Sequence, residues 1–412
     1  MKAVIIGASG EALHTIRTAK EQGLVVTAID GNPEAAGLKE ADEAFVINIS
    51  DEEETIQAVK KIQPDFLLTV PIGRCLTTTG AVNDALGLPG ISRQEAQNCT
   101  DKWLFHQLLN QKGLRKAACY LLSDKKTVKD LYAHREKMHY PVILKPRYGS
   151  GSRGIFVVRQ QEELKEALDQ ISKENFKNNK VTDDIYLEKR KSDEDYILEE
   201  CVEGEEYGID GAIIQGELYL VLLRKKENTP LPARQAVAYF CVPPEEEFFQ
   251  QVREWLKKAV EALGLEECLL HGDIIRTADD PFIIELSARP SGHNLHNLFT
   301  PLATGIDMAK EYICYRMGKD YSFSPLMTKQ MMIHYFDLEG RVKRIPHEEE
   351  VEKLAEESGG RLVKWQCNIE PGERLSRVSD GYSLMGRGYF ILEGRAEREL
   401  KIMAEKVKSL FH

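Results

Sequence analysis

Two acids and an arginine stand close together in the second half of the chain. Asp273 and Glu285 each follow an apolar strand-like run, within "CLLHGDII" and "PFIIELSA", and the turn "RTADDP" joins the two runs. A hairpin or meander with an Asp- and Pro-rich turn can set two carboxylates on neighbouring strands. Hard oxygen ligands in that arrangement suit a Mg²⁺ ion that bridges nucleotide phosphates. Asp279 and Asp280 are turn residues and take no role. Arg289 comes four residues after Glu285, ahead of a tight turn through Pro290, Ser291 and Gly292. An arginine beside such phosphates stabilises a transferring phosphoryl group or clamps a carboxylate with two parallel hydrogen bonds. His271, His293 and His296 with Asp273 also raise a zinc site. The spacing is not that of H-E-x-x-H, so polar or structural histidines are the better reading.

Lys145 ends an apolar strand, and Gly149, Ser150, Gly151, Ser152 and Gly154 follow in "PVILKPRYGSGSRGIFVV". Glycines let backbone N–H groups curl around phosphate oxygens, the serines add donors, and the lysine supplies a point charge. The plain alternative is a flexible turn. A third stretch, "ILEECVEGEEYGID", runs from a strand into acids. Adenine asks for a backbone donor and acceptor at a strand edge, and ribose for a nearby carboxylate. Glu199 or the Glu200 carbonyl, the Val202 N–H and Glu206 supply these in turn, against the alternative of a solvated acidic hairpin. The N-terminal "VIIGASGEAL" places Gly7, Ser9 and Ala12 at the positions of G-x-G-x-x-G/A, with Asp30 where a ribose acid would sit. The second glycine, which admits a pyrophosphate, is absent.

The elements that must carry these groups are readable. Residues 1–100 alternate strands (Val4–Ile6, Val25–Ile29, Phe45–Ile47, Phe66–Val70) with helices (about Ala12–Gln22 and Glu52–Ile62), which implies a parallel sheet wrapped by helices. Asp51 with Glu54 resembles a capping box. A helix starts near Asp101 and stops at Gly113. The glycine stretch is expected as a strand–loop–strand hairpin, followed by a helix from Glu162 to about Lys173 and a polar loop to Asp184. Strands are expected from Ile185 to about Leu223, an irregular segment at Pro230 and Pro232, and a helix over Glu245–Leu263. The tail, 325–412, reads as a small mixed α/β unit closing with a helix over Arg395–Leu410.

With 412 residues, 42% hydrophobic and 29% charged, the composition is that of a globular protein of two or three domains. A net charge of −11 argues against general nucleic-acid binding. Scattered cysteines without a C-x-x-C pair fit reduced thiols in the cytoplasm, and neither a signal peptide nor a membrane span is expected.

In order along the chain, an α/β domain, Lys102, Lys145 with its Gly/Ser loop, the 197–210 acids, Asp273, Glu285 and Arg289 together resemble the ATP-grasp superfamily. The resemblance covers essentially the whole chain. It is nearest to the carboxylate–amine ligases of the biotin carboxylase and carbamoyl phosphate synthase-like branch, and "HGDIIRTADDPFIIELSARPSGHN" is similar to the L-amino acid ligase type. It implies an α/β (α+β) ATP-grasp fold. The expected divisions are a Rossmann-like domain (1–100), a linker helix and lid (101–202), a catalytic subdomain (203–324) and a small α/β subdomain (325–412).

The resemblance also implies roles. Lys102 and Lys145 contact ATP phosphates, Ser150, Gly151 and Ser152 lie in a mobile lid, and Glu199, Glu200 and Val202 frame adenine. Glu206 holds ribose, Asp273 and Glu285 bind Mg²⁺ or Mn²⁺, and Arg289 stabilises an acyl phosphate. Ser287, Ser291, Gly292 and His293 would line the substrate side. Two departures stand out. The family usually has Glu where Asp273 stands and often Asn where Ser287 stands, the latter resembling the amino acid ligase variant.

The expected activity is ATP- and Mg²⁺-dependent joining of a small-molecule carboxylate to an amine, releasing ADP and phosphate. No nucleic-acid or membrane partner is expected, and many relatives are dimers. Carboxylation through carboxyphosphate, an NAD-dependent oxidoreductase and a catalytically silent ATP sensor are the competing readings.

Overall fold

A computed structural model describes the chain except residues 124–126, 128, 132–137, 150–153, 178–194, 231–233, 326, 379–380 and 412. The N-terminal alternation forms β1 (Lys2–Ile6), β2 (Val25–Asp30), β3 (Glu43–Val46) and β4 (Phe66–Leu68), all parallel in the order β3-β2-β1-β4. Helices α1 (Leu13–Glu21), α2 (Ala36–Glu40), α3 (Glu52–Ile62) and α4 (Leu76–Leu86) connect or flank these strands. The Asp51 carboxylate accepts from the Glu54 N–H at 2.9 Å, the capping half of the expected box. The full reciprocal box forms instead at Ser92 and Glu95, opening α5 (Arg93–Thr100).

Helix α6 (Lys102–Gln111), capped by Asp101, leads into the second sheet. This antiparallel sheet is ordered β5-β8-β6-β7, from β5 (Cys119–Leu122), β6 (Val142–Pro146), β7 (Phe156–Val158) and β8 (Tyr196–Glu200). The glycine stretch is therefore the loop of the β6–β7 hairpin, as its pattern of two β-branched runs implies. The following helix covers Gln161–Lys177, four residues past its expected end, and the rest of the polar loop expected to Asp184 and the strand expected from Ile185 to residue 194 lie outside the described residues. No Gly or Pro interrupts those seventeen residues, and Glu, Lys and Gln are good helix formers.

The third sheet has eight strands in the order β13-β12-β9-β10-β11-β14-β18-β16. They are β9 (Glu205–Ile214), β10 (Glu217–Asn228), β11 (Ala236–Val242), β12 (Cys268–Arg276), β13 (Phe282–Ser287), β14 (Met331–Tyr335), β16 (Arg361–Cys367) and β18 (Gly388–Glu393). A short pair, β15 (Gly340–Arg341) with β17 (Arg374–Leu375), lies beside it. The sheet is continuous across residue 325, since β11 pairs with β14.

Alternation along β9 decides what each face does. Tyr207, Ile209 and Ile213 pack under the helix Glu247–Leu263, whose Phe248, Val252, Leu256, Val260 and Leu263 are spaced by about one turn. Each fully buried side chain of this kind contributes roughly 1.5–3 kcal/mol before ordering costs. Ala212 and Ile214, on the other face, pack with the N-terminal domain. Further along that face lie Glu206, Gly208 and Asp210.

Candidate active site

The register of the large sheet builds a polar row. Arg224 on β10 stands opposite Gly208 on β9, Gly208 opposite Asp273 on β12, and Asp273 opposite Glu285 on β13. The next row places Asp210, His271 and Ser287 side by side. The two acids singled out by their runs and turn are thus direct cross-strand partners, about 4.5–5.5 Å apart at Cα by the geometry of antiparallel pairs. Asp273 Oδ1 is buried without a hydrogen-bond partner, while Oδ2 accepts from Lys226 Nζ at 2.6 Å. Burial raises the Asp273 carboxyl, but Lys226 and His271 together hold it below the usual range. Burial likewise lowers Lys226, and Asp273 overcomes it, so the ammonium stays charged. An orphaned carboxylate oxygen beside a second carboxylate fits a hard divalent cation such as Mg²⁺.

Across these two rows, Arg224 and Asp210 form a fully buried ion pair that Thr300 completes, donating to Asp210 Oδ2 at 2.6 Å. Such a network fixes the strands in one arrangement, because a half-satisfied buried charge is costly. His271 Nδ1 meets the Ile209 carbonyl at 3.2 Å and His296 Nδ1 meets that of Ser291, which commits both nitrogens as donors.

Arg289 follows β13 into a strained turn. His293 and Asn294 both have left-handed backbones, at φ of 60° and 57°, which non-glycine residues rarely adopt. The turn is held from two sides: the His293 N–H donates to Glu11 Oε1 at 3.1 Å, and Tyr335 Oη donates to the His293 carbonyl. Glu11 comes from the N-terminal "GASGEA", and its carboxylate oxygens lie 3.5 Å from where a Gly292 Cβ would be. Arg289 Nε and Ser291 Oγ are buried without partners. Burial lowers the Arg289 guanidinium, opposed by Glu285, Cys75 and Glu11. Burial also lowers His293, keeping its imidazole neutral.

The β5-β8-β6-β7 sheet approaches through a second charge cluster. Glu199, on β8, is 4% exposed and accepts from Lys145 at one oxygen and from Arg115 at the other, the latter at 2.7 Å. Burial pushes its carboxyl up, but the two cations hold it at about 2. Arg115 also donates to the Ile283 and Ile284 carbonyls of β13 at 2.6 and 2.7 Å. Lys102 Nζ donates to the Gly149 carbonyl at 2.8 Å, at the root of the glycine loop. Asp101 both caps α6 and grips Arg147 through two hydrogen bonds, tying that root to the helix. Ser150, Gly151 and Ser152 lie outside the described residues.

At the end of β8, where the sequence leads one to expect adenine, the Glu200 N–H donates to the Ala118 carbonyl and the Cys201 N–H to that of Pro141, while Val202 is half-buried past the strand end. Glu206 is engaged at both oxygens, by Arg234 at 2.6 Å and Asn228 at 2.9 Å. Glu199 faces Lys145 and Arg115, so its carboxylate serves to fix the lysine. The N-terminal fingerprint has a structural use. Asp30 accepts from Ala8 at 2.6 Å and from Asn32 at 2.8 Å, which occupies both oxygens with the turn itself.

Residues 138–296 match the ATP-grasp domain family. The chain carries an ATP-grasp domain. Around it, the sequence is 22% identical over 385 residues to the L-arginine-specific L-amino acid ligase of Bacillus subtilis, covering 90% of this chain and 86% of that protein. It is 26% identical over 292 residues to alanine–anticapsin ligase of Bacillus subtilis (strain 168), covering 65% of this chain but spanning only 58% of that protein. The structure of an L-amino acid ligase from Bacillus licheniformis superposes with a TM-score of 0.76 at 20% identity, over 99% of this chain and 97% of that one. The ATP-grasp fold therefore extends over the whole chain. Five residues beside the candidate site escaped the motifs: Arg115, Lys226, Glu11, Asp210 and Arg224. Period-two reading of "ELYLVLLRKKEN" was the available signal, because it puts Arg224 and Lys226 on one face of β10.

Proposed function

We propose that this chain is an ATP- and Mg²⁺-dependent carboxylate–amine ligase that forms an amide through an acyl phosphate. The observation that carries the reading is the direct pairing of Asp273 with Glu285, one oxygen of Asp273 orphaned, a few residues from Arg289. Asp273 and Glu285 would hold Mg²⁺, or Mn²⁺ in its place, which when bound neutralises charge on the transferring phosphates. Lys102 and Lys145 supply positive charge toward the nucleotide phosphates from the lid side. Asp101, through Arg147, holds the root of the glycine loop in place.

A carboxylate does not yield to an amine because hydroxide or oxide is a poor leaving group. Attack of a carboxylate oxygen on the γ-phosphorus forms the acyl phosphate and releases ADP. The amine nitrogen then attacks the carbonyl carbon, loses a proton and expels phosphate. Arg289 would clamp the carboxylate and then the oxygen that gains charge. Glu11 adds a carboxylate beside the Arg289 turn, so the site offers opposite charges to a zwitterionic amino acid. Ser287, Ser291, Gly292 and the neutral His293 line the same side. Amino acids are accordingly the proposed substrate class, as in the named relatives.

The test is a screen of amino acid pairs for ADP release, with mass spectrometry of the products. ADP formation with a new amide supports the reading, and Glu285→Gln should abolish it while nucleotide still binds. Thermal stabilisation by NAD(P) but not by ATP–Mg²⁺ would sink it. Bicarbonate-dependent ADP release would shift it to the carboxyphosphate reading.

A further inference from the structure

The carboxylate pair has a third member supplied from two strands away. Lys226 belongs to β10, Asp273 to β12, and the intervening strand contributes Gly208 between them. A Cβ at 208 would touch Lys226 Cε at 3.5 Å and the Arg224 guanidinium at 3.6 Å. The bare backbone there is the path that Lys226 follows to Asp273, and a larger side chain would close it. The Lys226 side chain is 8% exposed, and its ammonium sits 2.6 Å from Asp273 Oδ2. Burying an ammonium costs several kcal/mol that only a well-placed anion offsets, so this lysine belongs to the site's charge balance. Glu285 makes no ion pair among the described residues, although Lys102 and Arg289 feel its charge.

Three groups thus divide the work: Asp273 Oδ2 is taken, Asp273 Oδ1 is open, and Glu285 is open. Asp273, Glu285 and Lys226 together carry one negative charge; one divalent cation between the two open positions brings them to a single positive charge, which nucleotide phosphates offset, and a second cation would raise it to three. A second would have to share Asp273 with a buried ammonium already bound to Oδ2, at a separation where like charges repel strongly. Aspartate, one methylene shorter than glutamate, cannot reach past the lysine to a more distant ion. We propose that Lys226 is a built-in cation of this site, standing in for a second divalent ion, so that the chain binds a single divalent cation per nucleotide. The inference rests on the nucleotide-binding reading above.

The count of bound Mn²⁺ decides it. The full chain is mixed with an equimolar non-hydrolysable ATP analogue and titrated with Mn²⁺, free ion being read from its electron paramagnetic resonance signal. The wild type should bind one Mn²⁺ per chain, and Lys226→Met should bind two. Should the methionine variant not fold by circular dichroism, Lys226→Gln is scored by the same count. Two tightly bound Mn²⁺ in the wild type overturn the inference and leave the ligase reading intact. A count of one in both proteins also overturns it, since Lys226 then excludes nothing. No analogue-dependent Mn²⁺ at all removes the nucleotide reading itself, and the inference with it.

Discussion

Arg115 is the perturbation that tests how the lid is joined to the catalytic strands. Its guanidinium is 2% exposed, makes three hydrogen bonds of 2.6–2.7 Å, and lies 4.7 Å from the Phe282 ring centre and 5.6 Å from that of Phe105. Two of its acceptors are on β13, which carries Glu285, and the third is Glu199 on the lid strand β8. Arg115→Met keeps an apolar stem between the rings but leaves two carbonyls without their donor and Glu199 with Lys145 alone. Breaking a buried ion pair costs roughly 3–5 kcal/mol, and an unpaired buried acceptor about 1–3 kcal/mol. Glu199 keeps Lys145 as a partner and the methionine contacts return a further part, so the net loss falls below that sum, at about 3 kcal/mol, some hundredfold in a local opening equilibrium. A chain of several domains has no single unfolding free energy, so the assay is local: hydrogen exchange of the Tyr196–Glu200 and Phe282–Ser287 segments. The expected result is a fall of about a hundredfold in their protection, with a raised KM for ATP, while protection in β1 and β2 is unchanged.

The same cluster sets a pH dependence. Glu199 titrates at about 2 when folded, below its ordinary 4.5, so its contribution is complete above the unfolded value and is lost as pH falls from 4.5 through 2. A shift of that size corresponds to about 3 kcal/mol, in line with the loss expected for Arg115→Met. In that variant, with one cation fewer, the acid loss should begin at higher pH. Unchanged protection and unchanged ATP KM in Arg115→Met would refute the idea that this arginine joins lid to body.

Lys102 gives a prediction at the other end of the pH scale. Burial, with a further push from Lys145 and against the pull of Glu285, brings its ammonium down to about 8. ATP affinity should therefore weaken as pH rises through about 8, and Lys102→Arg should flatten that profile; calorimetric titrations from pH 6.5 to 9.5, roughly, would show it. Gly37 on α2 is packed on the Ala8 carbonyl, which an added Cβ would approach to 2.7 Å, with Ile16 Cδ1 at the same distance. Gly37→Val should destabilise the N-terminal domain by about 1–3 kcal/mol, seen as an earlier thermal transition. Gly10→Ala, which meets nothing within 4 Å, should leave it unmoved.

Local rules made the strands and hairpins legible, and with them the pairing of Asp273 with Glu285. Two apolar runs joined by a short Asp- and Pro-rich turn have few registers that bury the right faces. The glycine hairpin was legible for the same reason. What stayed hidden is the identity of each charge's partner. Lys145 meets a glutamate 54 residues away, Arg115 one 84 residues away, and Glu11 reaches a turn 282 residues away. Spacing along the chain carries no trace of such contacts. Lys226 was hidden differently, since "RKKEN" at a strand end has the composition of a solvated face, and only the neighbouring Gly208 makes room for it inside.

The N-terminal turn shows how a fold signature and a site signature can share residues. Gly7 has a left-handed backbone at φ of 91°, and a Cβ there would come within 2.9 Å of Ile72 Cδ1. The glycine that looked like part of a cofactor fingerprint is needed for the turn itself. Asp30 closes that turn on the Ala8 N–H, so neither it nor Gly7 is free to receive a dinucleotide. The same turn nonetheless aims Glu11 at the residues after Arg289. Because the His293 N–H anchors that strained turn to the N-terminal segment through Glu11, Glu11 has a structural duty as well as the proposed substrate contact. Loss of its charge should thus disturb both the turn and the recognition of an ammonium group. A rise in KM for the amino acid alone, with ATP binding intact, is the signature that separates the second duty from the first.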